Sequence, residues 1–316
     1  MRVGICIPVS ERGPERRTCS YSDMRELAVL TEQSGLDSIW LADHLLFKNP
    51  GREPSGAWES LSMLAALAET TSKVELGPLV LCSPFRNAGL IAWMANTLDE
   101  ISGGRFVLGL GSGWHEPEFT AFGFEFERRV SLFEDQLEVM APLLRDGSVD
   151  YDGSMAVGHA TLRPPRVRQS GPPIMIACSR PRMMGLTARW ADRWNSVWYG
   201  LPTDEFRAER DLLHESCWKI GRDPASIEVT VGLVIADAEN IAGNWPQGIP
   251  DRVEDVAAAL AVWHDQGVAE VMFRMEAPSP AAIEKVAHAA EALRGRGAAS
   301  GISETSLHPA RLPPSL

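Results

Sequence analysis

The segment Arg105-Phe-Val-Leu-Gly-Leu-Gly-Ser-Gly-Trp-His-Glu-Pro-Glu-Phe119 decides the fold. An apolar run, Phe106–Leu110, predicts a buried strand, and it passes directly into a turn with alternating glycines and with aromatic and titratable side chains. In parallel α/β proteins, functional residues follow the carboxyl ends of strands in this way. The segment therefore either holds a nucleotide phosphate or lies against a reacting group.

The glycine spacing argues against a phosphate loop. The dinucleotide fingerprint is G-x-G-x-x-G at the start of a helix after a first strand. Here the third glycine comes one residue early, Trp114 follows it, and Pro117 comes next in the turn. No Gly-Lys-Ser/Thr follows, which excludes a Walker loop. Glycines also allow a backbone to approach a flat ligand closely, and this interpretation fits the segment better.

Strand-like and helix-like segments alternate along the whole chain. The predicted strands are Val3–Val9, Leu36–Ala42, Val74–Cys82, Phe106–Leu110, Ile174–Cys178, Trp194–Trp198, Glu228–Ala236 and Val268–Phe273. Between and after them, helical periodicity predicts Tyr21–Gln33, Trp58–Thr70, Ala88–Ile101, Arg128–Leu144, Arg182–Ala191, Asp204–Ile220, Val253–Trp263 and Ala281–Leu293.

Eight strand–helix units with uninterrupted apolar strands indicate a parallel sheet buried on both faces. A doubly wound open sheet and a (β/α)8 TIM barrel both fit, and the count of eight favours the barrel. We expect one α/β domain over residues 1–294, with an insertion at about 147–173 that forms a short hairpin. Residues 295–316 are rich in Gly, Ser and Pro and predict a disordered tail.

The composition argues against several classes of binding partner. The formal net charge of −12 argues against nucleic acid and anionic membrane, since phosphates require Lys and Arg. No apolar run is long enough to span a membrane, and the apolar N-terminus is too short for a signal peptide. Five cysteines without a C-x-x-C predict free thiols in a cytoplasmic protein, and the scattered histidines predict no metal site.

Four segments in register carry a resemblance. They are Leu36-Asp-Ser-Ile-Trp-Leu-Ala-Asp-His44, Leu79-Val-Leu-Cys-Ser-Pro-Phe-Arg-Asn87, Ser102-Gly-Gly-Arg-Phe-Val-Leu-Gly-Leu-Gly-Ser-Gly-Trp-His-Glu116 and Ala191-Asp-Arg-Trp-Asn195. The chain resembles the bacterial luciferase-like flavin oxidoreductases over most of residues 1–293. The resemblance implies a (β/α)8 barrel that binds either coenzyme F-420, a deazaflavin, or FMN. Two of these segments are more similar to the coenzyme F-420 branch of the family. They are Ala42-Asp-His44 after strand two and Gly111-Ser-Gly-Trp-His-Glu-Pro-Glu118 after strand four.

The resemblance also implies where the cofactor lies. The ring would rest on a bulge with a cis peptide near Leu81-Cys82-Ser83, with Asp43, Cys82 and the backbone of Ser112 and Gly113 against it. The phosphate would lie at the helix that begins near Arg182, against Ser179, Arg180, Arg182 and Met183. This loop departs from the usual Gly-Gly or Gly-Ser of the family. For Cys82, a buried structural thiol is an equal alternative.

The catalytic candidates are His44 and Glu116. His44 follows Asp43 at the end of strand two, and we expect it to act as general acid or base, with Asp43 orienting its ring or bonding the cofactor. Glu116 is a candidate proton donor, and the alternative is an ordinary first-turn helix acid. Trp114 and Trp198 are expected in the substrate pocket. Deazaflavin dehydrogenases of this family have a carboxylate where Trp114 stands, which implies different proton chemistry or another substrate.

Three functions follow as hypotheses. The first is hydride transfer between coenzyme F-420 and a small organic substrate, and the second is an FMN-dependent monooxygenase that uses reduced FMN and oxygen. The third is a barrel that binds a ligand without turnover. The loops at 47–58, 147–173 and 237–251 are expected to select the substrate, and the resemblance implies a homodimer.

Overall fold

The computed structural model describes residues 1–11, 18–48, 51, 53–153, 158–236, 248–275 and 278–300. One parallel sheet dominates this part of the chain. Its main strands are β1 (Arg2–Ile7), β2 (Ser38–Leu41), β3 (Glu75–Pro78), β4 (Leu81–Cys82), β5 (Leu108–Gly111), β6 (Ile174–Ala177), β7 (Arg193–Tyr199), β8 (Glu228–Ala236) and β9 (Glu270–Met275).

The sheet closes into a barrel. The strands follow the order β3-β2-β1-β9-β8-β7-β6-β5-β4, and all neighbouring pairs are parallel. β3 and β4 are the two halves of one barrel strand, because Leu76 of β3 forms a parallel bridge with Phe106, just before β5. The eight-stranded barrel is therefore confirmed, and the open doubly wound sheet is excluded.

Helices cover the outside of the barrel. They are α1 (Tyr21–Gln33), α2 (Ser60–Thr70), α3 (Ala88–Ile101), α4 (Glu116–Phe122), α5 (Arg129–Asp146), α6 (Pro181–Trp190), α7 (Asp204–Lys219), α8 (Val253–Asp265) and α9 (Pro280–Ser300). The smaller elements are the 3-10 turns Ser83–Phe85 and Pro224–Ser226, the paired strands Leu46–Phe47 and Ser55–Gly56, and the strand Ile249–Pro250. Across the described ranges, no helix has both the length and the apolar character needed to cross a membrane.

Three details of the structure differ from the sequence prediction or were not anticipated by it. The third strand, predicted as continuous, is interrupted by a cis peptide between Leu79 and Val80, two residues before the expected bulge. A second cis peptide, Val197–Trp198, lies within β7 and was not predicted. Residues 295–300, expected in the tail, continue α9, while 301–316 lie outside the described residues.

The insertion forms the expected hairpin but lies at the wrong end to select a substrate. Ser148–Asp150 pairs antiparallel with His159–Thr161. The insertion connects α5 to β6, so it lies at the amino end of the barrel strands, where the Arg168 guanidinium contacts Asp99 and the Phe106 carbonyl. The substrate loops of a (β/α)8 barrel are at the carboxyl end. The prediction for 147–173 is therefore wrong, and most of the predicted loop 237–251 lies outside the described residues.

An ionic cluster around the buried Glu270 stabilises the amino end of the barrel. Glu270 of β9 is fully buried and accepts hydrogen bonds from the hydroxyl of Ser38 and the indole of Trp40 in β2. Arg2 and Arg193 both pair with this carboxylate at 3.4 Å. Burial raises the pKa of Glu270, and the two guanidinium groups oppose that effect. The cluster links strands from opposite sides of the barrel and leaves the carboxyl end free for a site.

The glycines of the opening segment are required by strand packing. A Cβ at Gly109 would lie 2.1 Å from the backbone oxygen of Pro78, the last residue of β3. A backbone oxygen cannot rotate away as a side chain can. Gly109 therefore lets β5 pass close to the break between β3 and β4. The close approach that this glycine permits is to the backbone of the protein and not to a flat ligand.

We expect Gly109→Ala to lower the free energy of unfolding by about 1–3 kcal/mol, because the added methyl group forces β5 away from Pro78. Urea denaturation measures this loss. Gly185→Ala is the matched control, since a Cβ there meets no atom within 4 Å and a helical alanine gains about 0.5–1 kcal/mol. Equal stability of Gly109→Ala and the wild type would contradict the packing role.

Candidate functional site

A cavity of about 1190 Å³ opens at the carboxyl ends of the barrel strands. Residues that follow different strands form its wall, including Pro8 after β1, His44 after β2, Ser112 after β5 and Ser179 after β6. This is the position that the barrel fold predicts for a site. Among the described residues, no group of His, Cys, Asp and Glu is arranged to hold a metal ion.

The structure brings eleven of the twelve predicted site residues to this cavity. They are Asp43, His44, Cys82, Ser112, Gly113, Trp114, Ser179, Arg180, Arg182, Met183 and Trp198. Glu116 is the exception. It is exposed at the first position of α4 and does not line the cavity, which corresponds to the alternative of a first-turn helix acid.

Glu118, two residues later, is the carboxylate that reaches the site. Its side chain is buried, and its Oε2 accepts hydrogen bonds from the backbone amides of Leu45, at 2.5 Å, and Leu46, at 3.0 Å. Its Oε1 lies 3.2 Å from Nδ1 of His44. One side chain from the turn after β5 therefore fixes the turn after β2.

Hydrogen bonds keep Glu118 ionised. Burial would raise the pKa of this carboxyl, but the hydrogen bond from His44 and the amides of Leu45 and Leu46 hold the pKa below its ordinary value. The carboxylate in turn fixes the tautomer of His44, since an ionised Oε1 requires a hydrogen on Nδ1. The second ring nitrogen, Nε2, is then available to a ligand in the cavity.

Aromatic rings enclose His44. Phe47 lies at 4.2 Å between ring centroids, and Trp114 meets the imidazole edge-on at 5.7 Å. Trp114 is 66 % exposed, so it forms a wall at the cavity mouth rather than part of the core. The neighbouring His115 does not offer a ring nitrogen to the cavity in the same way. Its Nε2 accepts the amide hydrogen of Lys48, and burial lowers its pKa. His115 is therefore neutral and structural.

Asp43 supports the cavity floor instead of orienting His44. Its two oxygens accept a bidentate pair of bonds from Arg86, the Ser60 hydroxyl and the backbone amide of Cys82. The orienting contact expected from Asp43 is made by Glu118.

Cys82 is a buried thiol in the cavity wall. Burial raises its pKa and keeps it protonated. Its sulfur would clash with a Cβ at Gly113, whose φ of +81° also favours glycine.

A helix start without a side-chain cap lies on the β6 side of the cavity. Helix α6 begins at Pro181 after Ser179 and Arg180, and no side chain of the described residues caps this end. The first-turn amides of Arg182 and Met183 are consequently free for an anionic ligand. The Arg182 guanidinium is already bonded to Glu134, whereas the Arg180 guanidinium forms no hydrogen bond with the described residues and acts electrostatically on Glu209.

Several cavity residues were missed in the sequence. Asn195 belongs to the quoted Ala191–Asn195 motif and is fully buried, with Nδ2 donating to the Thr230 hydroxyl. Its Oδ1 has no hydrogen-bond partner among the described residues. Glu209 of α7 and Ser196 of β7 also line the cavity. The position of Asn195 in the quoted motif could have indicated a site residue. The helical pattern around Glu209 gave no such indication.

Comparison with known proteins identifies the family. The model of the luciferase-like monooxygenases matches residues 1–247. The chain belongs to this family.

Two relatives of this luciferase-like protein represent different chemistry. An F-420-dependent glucose-6-phosphate dehydrogenase of Amycolatopsis mediterranei is 33 % identical over 159 residues, which are 48 % of this chain and 44 % of the relative. The match therefore spans less than half the length of that relative. A pyrimidine monooxygenase, RutA, of Agrobacterium fabrum is 27 % identical over 265 residues, covering 78 % of this chain and 70 % of the relative.

A solved structure agrees in fold. An F-420-dependent secondary alcohol dehydrogenase, solved with an F-420–acetone adduct, superimposes with a TM-score of 0.74 over 93 % of this chain and 99 % of that chain. The sequence identity is 16 %, so this similarity concerns the luciferase-like barrel alone.

The Glu118 contacts predict a pH-dependent stability. Glu118→Gln should lower the free energy of unfolding at pH 7 by about 1–3 kcal/mol, because a buried carboxylate with three hydrogen-bond partners is replaced by an amide. The folded-state pKa of Glu118 lies below its ordinary value of 4.5, so its contribution is complete above that pH and disappears as the pH falls through the folded-state value.

Denaturation curves between pH 3 and 8 measure the effect. Glu116→Gln is the matched control, since Glu116 is exposed on the same helical turn and should change stability by less than about 1 kcal/mol. A loss for Glu118→Gln that stays constant down to pH 3 would show that the ionised carboxylate is not responsible.

Proposed function

We propose that this protein transfers hydride between coenzyme F-420 and a small organic substrate in the barrel cavity. The observation that carries the proposal is the pairing, in one cavity, of an oriented imidazole at His44 with a free helix start at α6. The imidazole can accept or donate a proton, and the helix start can bind a phosphate. The F-420-dependent dehydrogenase among the relatives supports the choice of cofactor.

The residues present fit such a cofactor. The buried Oδ1 of Asn195 requires a hydrogen-bond donor, and a flavin or deazaflavin ring carries an N–H group. Ser179, Arg180 and the amides of Arg182 and Met183 suit its phosphate. When bound, the deazaflavin supplies the hydride acceptor or donor, and the protein supplies orientation and shielding.

The chain's own residues would perform the proton chemistry. His44 would hold or release a proton at Nε2, because the Glu118 carboxylate keeps the hydrogen on Nδ1. Trp114 and Trp198 line the cavity and would limit water access around the substrate. Cys82 stays a thiol and takes no part in proton transfer.

The alternative is an FMN-dependent monooxygenase. It is supported by the pyrimidine monooxygenase, which matches a larger part of this chain than the F-420-dependent relative does. The same cavity would serve both cofactors, since each combines a tricyclic ring with a ribityl chain and a phosphate. A cytoplasmic homodimer acting on a small organic substrate remains part of the proposal.

Cofactor titration tests the choice. We expect coenzyme F-420 to bind at least about 10-fold more tightly than FMN, measured by absorbance and fluorescence changes of each cofactor. Tighter binding of FMN would favour the monooxygenase. Binding of neither cofactor would contradict both enzymatic functions and would favour a barrel that binds another ligand without turnover.

His44→Ala tests the proton transfer. With coenzyme F-420 and a substrate found by screening small alcohols and carbonyl compounds, kcat should fall roughly 10²- to 10⁴-fold, as expected for a lost general acid or base. The dissociation constant of the cofactor should change by less than about threefold. His288→Ala, at an exposed position of α9, is the control and should retain full activity. Unchanged kcat for His44→Ala would remove the assigned role.

A further inference from the structure

A second polar cluster lies in the cavity, beside the α6 helix start and away from His44. The Ser196 hydroxyl is 2.5 Å from Oε2 of Glu209 and 2.8 Å from the Tyr199 hydroxyl, which is itself 3.3 Å from the same carboxylate oxygen. All three residues line the cavity. We refer to Ser196, Tyr199 and Glu209 as the β7–α7 cluster.

The cluster presents hydrogen-bond acceptors to a ligand. Ser196 donates to Oε2 of Glu209, and Tyr199 donates to the same oxygen or to the Ser196 hydroxyl. Both hydroxyl hydrogens are thus used within the cluster. The hydrogen bonds of Glu209 within the cluster use Oε2, so Oε1 keeps lone pairs for a ligand, and Glu209 lines the cavity.

The surrounding charge is unfavourable for an anion. Burial raises the pKa of Glu209, and the nearby carboxylate of Glu205 acts in the same direction, while Arg180 opposes them. Burial also raises the pKa of Tyr199 to about 12, so its hydroxyl stays protonated at neutral pH. A ligand carboxylate or phosphate here would meet two acidic side chains, whereas a hydroxyl or amino group would supply the missing donor.

The sheet order places the cluster across the cavity from His44. From β2 the order runs through β1, β9 and β8 to β7, so four steps of an eight-stranded barrel separate the two sites. A ligand whose reacting atom faces His44 therefore directs its opposite end toward β7. The α6 helix start follows the neighbouring strand β6, and Arg180 of that start acts electrostatically on Glu209, so the proposed phosphate position adjoins the cluster.

We propose that Ser196, Tyr199 and Glu209 form a recognition subsite for a hydroxyl or amino group at the end of the substrate remote from the reacting atom. The subsite selects against substrates with a carboxylate or phosphate at that end. This inference rests on the proposed function, because the position of His44 as the reacting end defines which end of the substrate is remote.

Matched small probes test the subsite without turnover. Benzyl alcohol, benzylamine and benzoate share one ring and differ in the polar group, and saturation-transfer NMR titrations give their dissociation constants. The full chain is measured alone and again with coenzyme F-420 or FMN added, so failure of cofactor binding is seen separately from failure of the subsite. We expect the alcohol and the amine to bind at least about 10-fold more tightly than benzoate.

Glu209→Gln should reduce that preference to less than about threefold, because it removes the negative charge and keeps the shape. Glu215→Gln removes the same charge from an exposed position of α7 and should retain the wild-type ratio. Thermal unfolding of Glu209→Gln beside the wild type separates a folding defect from loss of the subsite. Benzoate binding as tightly as benzyl alcohol, or an unchanged ratio in Glu209→Gln, would overturn the proposal.

Discussion

Closure of the barrel is the constraint on which the rest of the structure depends. β3 pairs with β2 on one side and, through the bridge between Leu76 and Phe106, meets the chain before β5 on the other. Closure brings the carboxyl ends of all strands to one rim, which is why residues far apart in sequence line a common cavity. It also requires very close backbone packing, which Gly109 permits beside Pro78.

Stability and function are divided between the two ends of this barrel. The amino end carries the cluster around Glu270, whose fully buried carboxylate is paired with groups from several strands. At the carboxyl end, Oδ1 of Asn195 and the first-turn amides of α6 have no hydrogen-bond partner among the described residues. An unsatisfied buried polar atom is costly, so the Oδ1 of Asn195 in the cavity wall indicates that a ligand completes its hydrogen bond.

Much of the fold could be predicted from the sequence, because apolar runs and helical periodicity report burial directly. Helices α1 and α3 begin and end where the pattern predicts. The site was harder, because contacts such as that between Glu118 and His44 join turns that the sequence separates by 74 residues. Position at a strand end located His44 and Trp114 correctly at the cavity, but it could not decide between Glu116 and Glu118. Those two residues lie on different sides of the short helix α4, and only the packed structure shows which side faces the site.

A crystal structure with coenzyme F-420 bound tests the central claim most directly, namely that one cavity orients a cofactor between His44 and α6. We expect the deazaflavin ring beside Leu79 and Val80 and within reach of His44 and Asn195. The phosphate should lie against Ser179 and the amides of Arg182 and Met183. A ring turned away from His44, or a phosphate bound elsewhere on the rim, would contradict the account.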